Sequence, residues 1–455
     1  MSDRPFVIAI PWRDPVEAFW SLAEQPHAVL FDGAGEHKAS TWSYIAADPI
    51  ALVETWPEQP GDPLGDARTL LASVGRIDTP TSGLPPFSGG LAGLLSYELG
   101  ARLDSLPRAP QAPGAARWPD VSLGLYNCIA AFDRTQRRAM IISRDWGGDP
   151  RVKANVLAEQ LNSPAPTPRQ VAWPRPTPAW PQDDYAAKIA RTIAYIVAGD
   201  CFQANLSQAF DGTFPIDASP FELYARLASR SDAPFSGFWR GQDRAVISNS
   251  PERLARLSSV MDESLVTAKP IKGTKPRGAT PEGDHALTQA LLASEKDRAE
   301  NLMIVDLLRN DLSRVCMPGS VRVPELFALE TFANVHHLVS TISGALRPNL
   351  DAFDLISAIF PGGSITGAPK IRAAEIIAEL EAEARGPYCG SLAWFGPDGA
   401  MDASILIRTI ACDFESGRWR SRLRVGGGIV AESTPEGEVQ ESLDKATAML
   451  AAFGP

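Results

Sequence analysis

"SRLRVGGGIVAESTPEGEVQESLDKATAMLAAF", Ser421 to Phe453, carries two periodicities in one run. "SRLRVGGGIVAE" reads as a strand with three consecutive glycines, and "PEGEVQESLDKATAMLAAF" as an amphipathic helix. On that helix Glu438, Glu441 and Lys445 stand at i, i+3 and i+7, so they share one face. The ordinary reading is a solvated acidic face with a Glu441–Lys445 pair. The other follows from Gly426, Gly427 and Gly428, whose exposed backbone N–H groups could cradle an anion beside those carboxylates. A strand feeding a helix implies a mixed α/β or α+β core.

Working back along the chain, "DDYAAKIARTIAYIVAGD" places Tyr185, Ile189, Ile193 and Ile196 at helical spacing, with Asp183 or Asp184 as cap and Gly199 as stop. "EKDRAENLMIVDLLRNDLSRV" is a helix apolar on most of its circumference from Leu302 to Leu308. "GAPKIRAAEIIAELEAEARG" is another, with Pro369 suited to its first position. "RAVISNSPERLARL" and "AMDASILIRTIACDF" read as strands, as do "HAVLFDG", "WSYIAADPIALVE", "SLGLYNCIAAFD" and "AMIISRD" nearer the N-terminus. "GGLAGLLSYELG" is expected to bend from strand into a close-packed turn. Between the halves, "NSPAPTPRQVAWPRPTPAWPQDDY" holds seven prolines and should run extended. The organisation expected is a strand-rich half over 1–160, a proline-rich connection over 161–182 and a main region over 183–455.

The 455 residues carry 54 acidic against 43 basic side chains, a net charge of −11. That balance argues against nucleic acid as the main partner, because phosphate binding needs a basic field. The N-terminal apolar run is broken by Pro11 and is too short for a membrane span or signal peptide, and five scattered cysteines form no CxxC pair. A cytoplasmic location is expected.

Two motifs fail inspection. "GGSITGAPK" spaces Gly362 and Gly367 like a phosphate loop but continues Ala-Pro where Lys-Ser/Thr is required. "GGGIVA" satisfies GxGxxA, yet no βαβ unit or acidic residue follows at the needed distance. Other residues keep two readings. Glu300 edges a helix too apolar for water, and a buried carboxylate needs a partner such as a divalent cation. Mg²⁺ suits Glu300 and Glu441 because it keeps few protein carboxylates and takes substrate oxygens. Arg408, in "ILIRT", is either a core ion pair or a bidentate carboxylate binder. His337 is either a packed core histidine or part of a site. Lys272, in "TAKPIKGTKPRG", sits oddly between an isoleucine and a glycine.

Read in order, "GDCFQANLSQAF", "SNSPERL", "PIKGT", "EKDRAENLMIVDLLRNDL", "NVHHLVS", "FPGGSITGAPKIRAAEII", "MDASILIRT" and "GGGIVAESTPEGEVQESLDKA" resemble the chorismate-utilising enzymes. The resemblance is dense over about 181–455, and looser before it through "PFSGGLAGLLSYELG" and "WSYIAADP". It implies two packed, mainly antiparallel sheets with helices outside and an active site in a cleft, so the proline-rich stretch becomes a crossing within one unit. Isochorismate and salicylate synthases have a water-activating lysine where this chain has Gln203. Anthranilate synthases typically read Pro-Ile-Ala-Gly-Thr where this chain has Lys272. The chain is therefore most similar to the component I branch of the aminodeoxychorismate synthases, with anthranilate synthase component I as the alternative.

In that branch the lysine is taken to attack C2 of chorismate, displacing the C4 hydroxyl, after which ammonia adds at C4 and expels the lysine. The resemblance makes Lys272 the nucleophile and Glu252 the general acid, with Thr274 and His337 lining the ring. It makes Glu300, Glu438 and Glu441 ligands of Mg²⁺. Tyr388, Arg408 and the glycine amides of residues 426–428 would hold the enolpyruvyl carboxylate, and Lys445 the ring carboxylate. Burial is the setting that would keep the lysine amine neutral. No glutamine amidotransferase region is found, so ammonia is expected from solution or a separate glutaminase subunit. A tryptophan pocket is implied between the halves, walled by "AVLFDG", "WSY" and "PFSGF"; the first lacks the Glu-Ser of tryptophan-regulated members.

Overall fold

Alternating apolar runs bounded by turns build two sheets, and each run meets its partner antiparallel. In this computed structural model residues 4–454 are described, except 34–40, 78–82, 112–114, 168–171, 232, 261–262 and 333–334. The first sheet has 12 strands and the second 10. In the first, Val29–Asp32 from the N-terminal half pairs with Phe235–Arg240, and the order then runs through Arg244–Ser250, Thr409–Glu415, Arg418–Ile429 and Gln203–Thr213 to Gly367–Ala368. In the second, Gly90–Leu95 pairs with Ser391–Phe395, and the far edge is Arg253–Val260, Glu263–Ala268, Val335–Ala345 and Ile271–Pro276. Strands from both halves of the chain thus share both sheets.

The inner faces interdigitate through Val29, Ile129, Trp239 and Val246 against Ala92, Leu94 and Trp394. Helices cover the outside. Glu295–Ser313 starts at Ser294, whose hydroxyl accepts from the Asp297 N–H at 3.2 Å. It buries Ile304, Val305, Leu308 and Leu312, but Leu302 stays 45% exposed and Asp306 faces water. The all-round apolar helix expected from its sequence is therefore a striped one, with Glu300 at the edge of the stripe. Gln182–Val197 also departs from expectation. Its cap is Pro181 with no side-chain bond, and Asp183 and Asp184 lie in the first turn, favourable to the helix dipole. Burying Tyr185, Ile189 and Ile196 against Lys370–Glu381 offsets the missing cap, at roughly 1.5–3 kcal/mol per large apolar side chain. Pro369 is the N-cap, one residue before the helix it was expected to open.

The proline-rich connection is pinned where Trp173 donates its backbone N–H to Phe453 O at 2.7 Å and packs its ring 5.1 Å from Phe214. Four residues of this connection, 168–171, lie outside the described ones. Among the described residues, no helix is long and apolar enough to cross a membrane.

Candidate active site

The site is built where the two far edges face each other. In the Ile271–Pro276 strand, Ile271 lies opposite Val339 and Thr274 opposite His337. Lys272 and Gly273 therefore share a single facing residue, which is a β-bulge. Gly273 has φ +87, and a Cβ there would stand 2.9 Å from Leu291 Cδ1 and 3.0 Å from Asp297 Cβ. The glycine thus permits both the bulge and the close approach of the helix behind it. The bulge re-aims Lys272 into the cleft. Burial lowers its amine below the ordinary lysine range, against the pull of Glu300; Lys445, Glu252 and Glu441 also act on it. Two helices and the connection between two strands supply these charges. Gly273→Ala is expected to cost roughly 1–3 kcal/mol of stability and at least tenfold in turnover, because φ and space both oppose a Cβ. A thermal melt with a steady-state assay checks it; an active variant of unchanged melting temperature would show that the bulge does not depend on glycine.

Glu252 sits between the Arg244–Ser250 and Arg253–Val260 strands and is 5% exposed. Burial pushes its carboxyl up to about 7, although Ser364 Oγ donates to it at 2.9 Å and Lys272 lies near. The result is a carboxylic acid that can hold a proton at neutral pH, near an amine drawn toward its neutral form. That pairing is what acid-assisted nucleophilic displacement requires. Ser364 belongs to "PGGSITGAPK", and nothing in its local sequence marks it as the partner of a residue 112 positions away.

The glycine run lies on an open edge. Arg418–Ile429 pairs with Gln203–Thr213 along its length, but Thr409–Glu415 pairs with it only up to Thr409 opposite Arg424. From Val425 to Ile429 one side of the strand has no ladder partner among the described residues, so alternate N–H groups face the cleft. Arg408 leaves the sheet at this point with φ +50. Its guanidinium forms no ion pair among the described residues, and burial lowers its pKa. A desolvated guanidinium with no ion pair among the described residues has the chemistry to bind a carboxylate. Tyr388 is tied to this corner through Cys389, whose N–H donates to Leu406 O at 2.9 Å. Its ring also lines a separate arginine-rich cavity of about 740 Å³ and takes the Arg385 guanidinium 5.5 Å from its centroid.

Beneath the glycines runs the Pro435–Ala451 helix. A Cβ on Gly427 would stand 2.8 Å from Glu438 Oε2 and 3.3 Å from Glu441 Oε1. The helix face inferred from spacing therefore points at the glycine strand. Lys445 donates to Gly426 O at 2.9 Å and pairs with Glu441 at 2.6 Å. Burial raises Glu441, but Lys445 outweighs it and holds the carboxyl below its usual range. Burial raises Glu438, opposed by the Ser433 hydroxyl at 2.6 Å, and raises Glu300, opposed by Lys272 and by Lys296 at 3.8 Å. Among the described residues, no three acidic, His or Cys side chains gather closely enough to hold a metal unaided.

Thr274 Oγ1 and His337 Nδ1 are 2.8 Å apart across the ladder, with Phe332 edge-on to the imidazole at 5.3 Å. One residue along, His336 Nε2 lies 2.8 Å from Asp284, which also accepts from Arg277 and from the Gly278 N–H. This cluster was not read from the sequence. It anchors the chain just after the bulge.

Between the sheets lies a cavity of about 330 Å³ lined by Phe31, Asp32, Trp42, Tyr44, Phe235 and Arg253, among others. The three stretches expected to wall a tryptophan pocket thus meet in space.

The chorismate binding enzyme family aligns with residues 26–451. Aminodeoxychorismate synthase component 1 of Klebsiella aerogenes is 41% identical, over 98% of either chain. Anthranilate synthase component 1 of Pseudomonas putida is 34% identical, over 96% of this chain and 92% of its own. The crystal structure of anthranilate synthase component I from Streptococcus pneumoniae superposes with a TM-score of 0.78 at 29% identity, covering 91% of this chain and 95% of that one. With its sandwich, cleft and motif order accounted for, this chain belongs to the chorismate binding enzyme family.

Proposed function

We propose that this protein converts chorismate and ammonia to 4-amino-4-deoxychorismate through a covalent intermediate on Lys272. The observation that carries the reading is the bulged Lys272, its amine drawn toward neutrality in the same charge cluster as a Glu252 carboxyl held up to about 7. Anthranilate formation by direct ammonia attack at C2 needs no amine there. The relatives named component 1 of aminodeoxychorismate synthase support the same branch.

Lys272 attacks C2 with its lone pair, the ring double bonds shift, and the C4 hydroxyl leaves as water with the proton of Glu252. Ammonia then bonds to C4, the double bonds shift back, and the C2–N bond breaks to return Lys272 as a neutral amine. The ammonium on the product gives one proton to Glu252, which restores the acid. Arg408 and the open N–H edge of the glycine run orient the enolpyruvyl carboxylate, with Tyr388 at the same corner, and Lys445 attracts the ring carboxylate. Thr274 and His337 fix the strand that presents the nucleophile and line the ring.

Mg²⁺ fits the donor set. Glu438 and Glu441 converge on Gly427, Glu300 acts electrostatically on the same cluster, and burial raises two of the three carboxyls, a strain that a cation relieves. Bound there, it would supply a Lewis-acid clamp for the ring carboxylate. The component 1 designation of the relatives supports a separate amidotransferase subunit that delivers ammonia from glutamine.

The cavity between the sheets supports a second ligand, tryptophan. Aromatic walls suit an indole. Calorimetry should detect tryptophan binding that Phe31→Ala weakens at least tenfold; absence of heat with the wild type removes this ligand.

The function is tested by incubating the protein with chorismate, Mg²⁺ and ammonium at alkaline pH, with and without an aminodeoxychorismate lyase. 4-Aminobenzoate only when the lyase is present supports the reading. Anthranilate with pyruvate assigns the protein to ortho amination instead.

A further inference from the structure

Behind the glycine strand lies a buried ion-paired cluster that none of the steps above uses. Glu381, the last residue of the Lys370–Glu381 helix, is 2% exposed. Its Oε1 accepts from the Ser207 N–H and hydroxyl at 2.8 Å each and from Arg385 at 2.7 Å. Its Oε2 accepts from Arg385 at 3.0 Å and from Arg424 at 2.9 Å. Arg385 is buried as well. It donates to Ile365 O at 3.2 Å and Asn205 O at 2.6 Å, and its guanidinium lies over the Tyr388 ring, 5.5 Å from the centroid. Buried ion pairs add little stability over apolar packing of the same volume; what a guanidinium fork adds is direction. Here each direction ends on a segment that carries a site group. Ile365 follows Ser364, whose hydroxyl holds Glu252, and Asn205 Nδ2 donates to Ser364 O at 2.7 Å. In the ladder Asn205 lies opposite Gly428 and Ser207 opposite Gly426. One arginine thus joins the acid end of the cleft to its carboxylate-binding corner.

We propose that Arg385, oriented by Glu381, is a positioning residue that fixes the Ser364 hydroxyl against Glu252 and the Tyr388 ring at the Arg408 corner; the inference rests on the acid role of Glu252 in the reaction proposed above. Arg385 acts through these two residues. Charge balance alone does not call for arginine, since a lysine would also neutralise Glu381. A lysine has three N–H groups and no plane, so it cannot hold both carboxylate oxygens, two carbonyls and a tyrosine ring at once. Charge and direction are therefore separable by one substitution. Besides Ser364, Glu252 meets the charge of Lys272 and the Ile271 N–H, both from the Ile271–Pro276 strand and away from the Arg385 contacts. Loosening Ser364 removes a donor to the ionised carboxyl, so the acid should keep its proton to higher pH.

The test compares wild type, Arg385→Lys, Ser364→Ala and the double variant by the pH dependence of chorismate consumption at constant free ammonia, a readout that does not depend on whether amination is para or ortho. Arg385→Lys should lose roughly tenfold or more in kcat/KM for chorismate, as displaced site groups do. Its alkaline limb should move up by about half a pH unit or more. Ser364→Ala should move the limb the same way, and the double variant no further, because both substitutions break one path. Where circular dichroism shows that Arg385→Lys does not fold, Glu381→Gln combined with Arg385→Gln removes both charges of the pair and carries the same comparison. A limb that stays in place, whatever the loss of rate, overturns the proposal and leaves Arg385 a packing ion pair. So does a double variant whose limb moves by the sum of the two single shifts. A wild-type profile with no alkaline limb overturns the acid role of Glu252 and the proposal with it.

Discussion

Lys272→Ala is expected to reduce para-aminated product by a factor on the order of 10³ or more, because the variant loses the atom that bonds to C2. Chorismate binding should survive. Arg408, the glycine edge and Lys445 lie on other elements, and alanine is tolerated beside Gly273 because the bulge is set by the glycine and not by the lysine. Incubation with chorismate in the absence of ammonia should give a mass increment on the wild-type peptide containing Lys272 and none on the variant. Removing the amine opens C2 to ammonia itself, so the little product that forms should carry nitrogen ortho to the carboxylate. A variant that keeps a tenth or more of wild-type para amination would rule out the covalent route.

Glu252→Gln should slow adduct formation by roughly 10²–10⁴-fold, the usual worth of a general acid. The pH profile separates its role from a packing defect. Wild type needs Glu252 protonated and Lys272 neutral, so its rate should describe a bell. Glutamine does not titrate, and the variant should retain only the rising limb that belongs to Lys272. Stability should move the opposite way to activity. The folded-state value of about 7 lies above the ordinary 4.5, so the folded protein binds this proton more tightly than the unfolded chain. Stabilisation from the protonated acid is full below 4.5 and lost as pH rises through 7. At about 1.36 kcal/mol per pKa unit the ionised carboxyl costs roughly 3 kcal/mol above pH 7. Glu252→Gln should therefore melt higher than wild type at pH 8.5, with the advantage shrinking toward pH 5. A gap between the two melting temperatures that does not change with pH would mean Glu252 titrates normally and is not the acid.

Both predictions concern residues that sequence motifs pointed to, but their chemistry was legible to different depths. The face shared by Glu438, Glu441 and Lys445 followed from helical spacing alone, and the Pro435–Ala451 helix keeps it. Arg408 was singled out by its place in the apolar run "ILIRT", and the structure turns the chain there with φ +50. The order of the motifs likewise led to the sandwich. Each of these is local, or is a pattern shared along the whole chain.

What makes the site work is not local. The bulge at Lys272 exists only because Ile271 and Thr274 face Val339 and His337, in a strand more than sixty residues away. Glu252 is held by Ser364, and the loop after the bulge is tied through Asp284 to His336. The sequence alone determined the strand-and-helix pattern, the family and the inventory of reactive groups, because periodicity and motif order are written in neighbouring residues. Only the tertiary structure decided which amine is desolvated and which carboxyl keeps its proton. Those properties depend on burial and on charges brought together by long-range strand register.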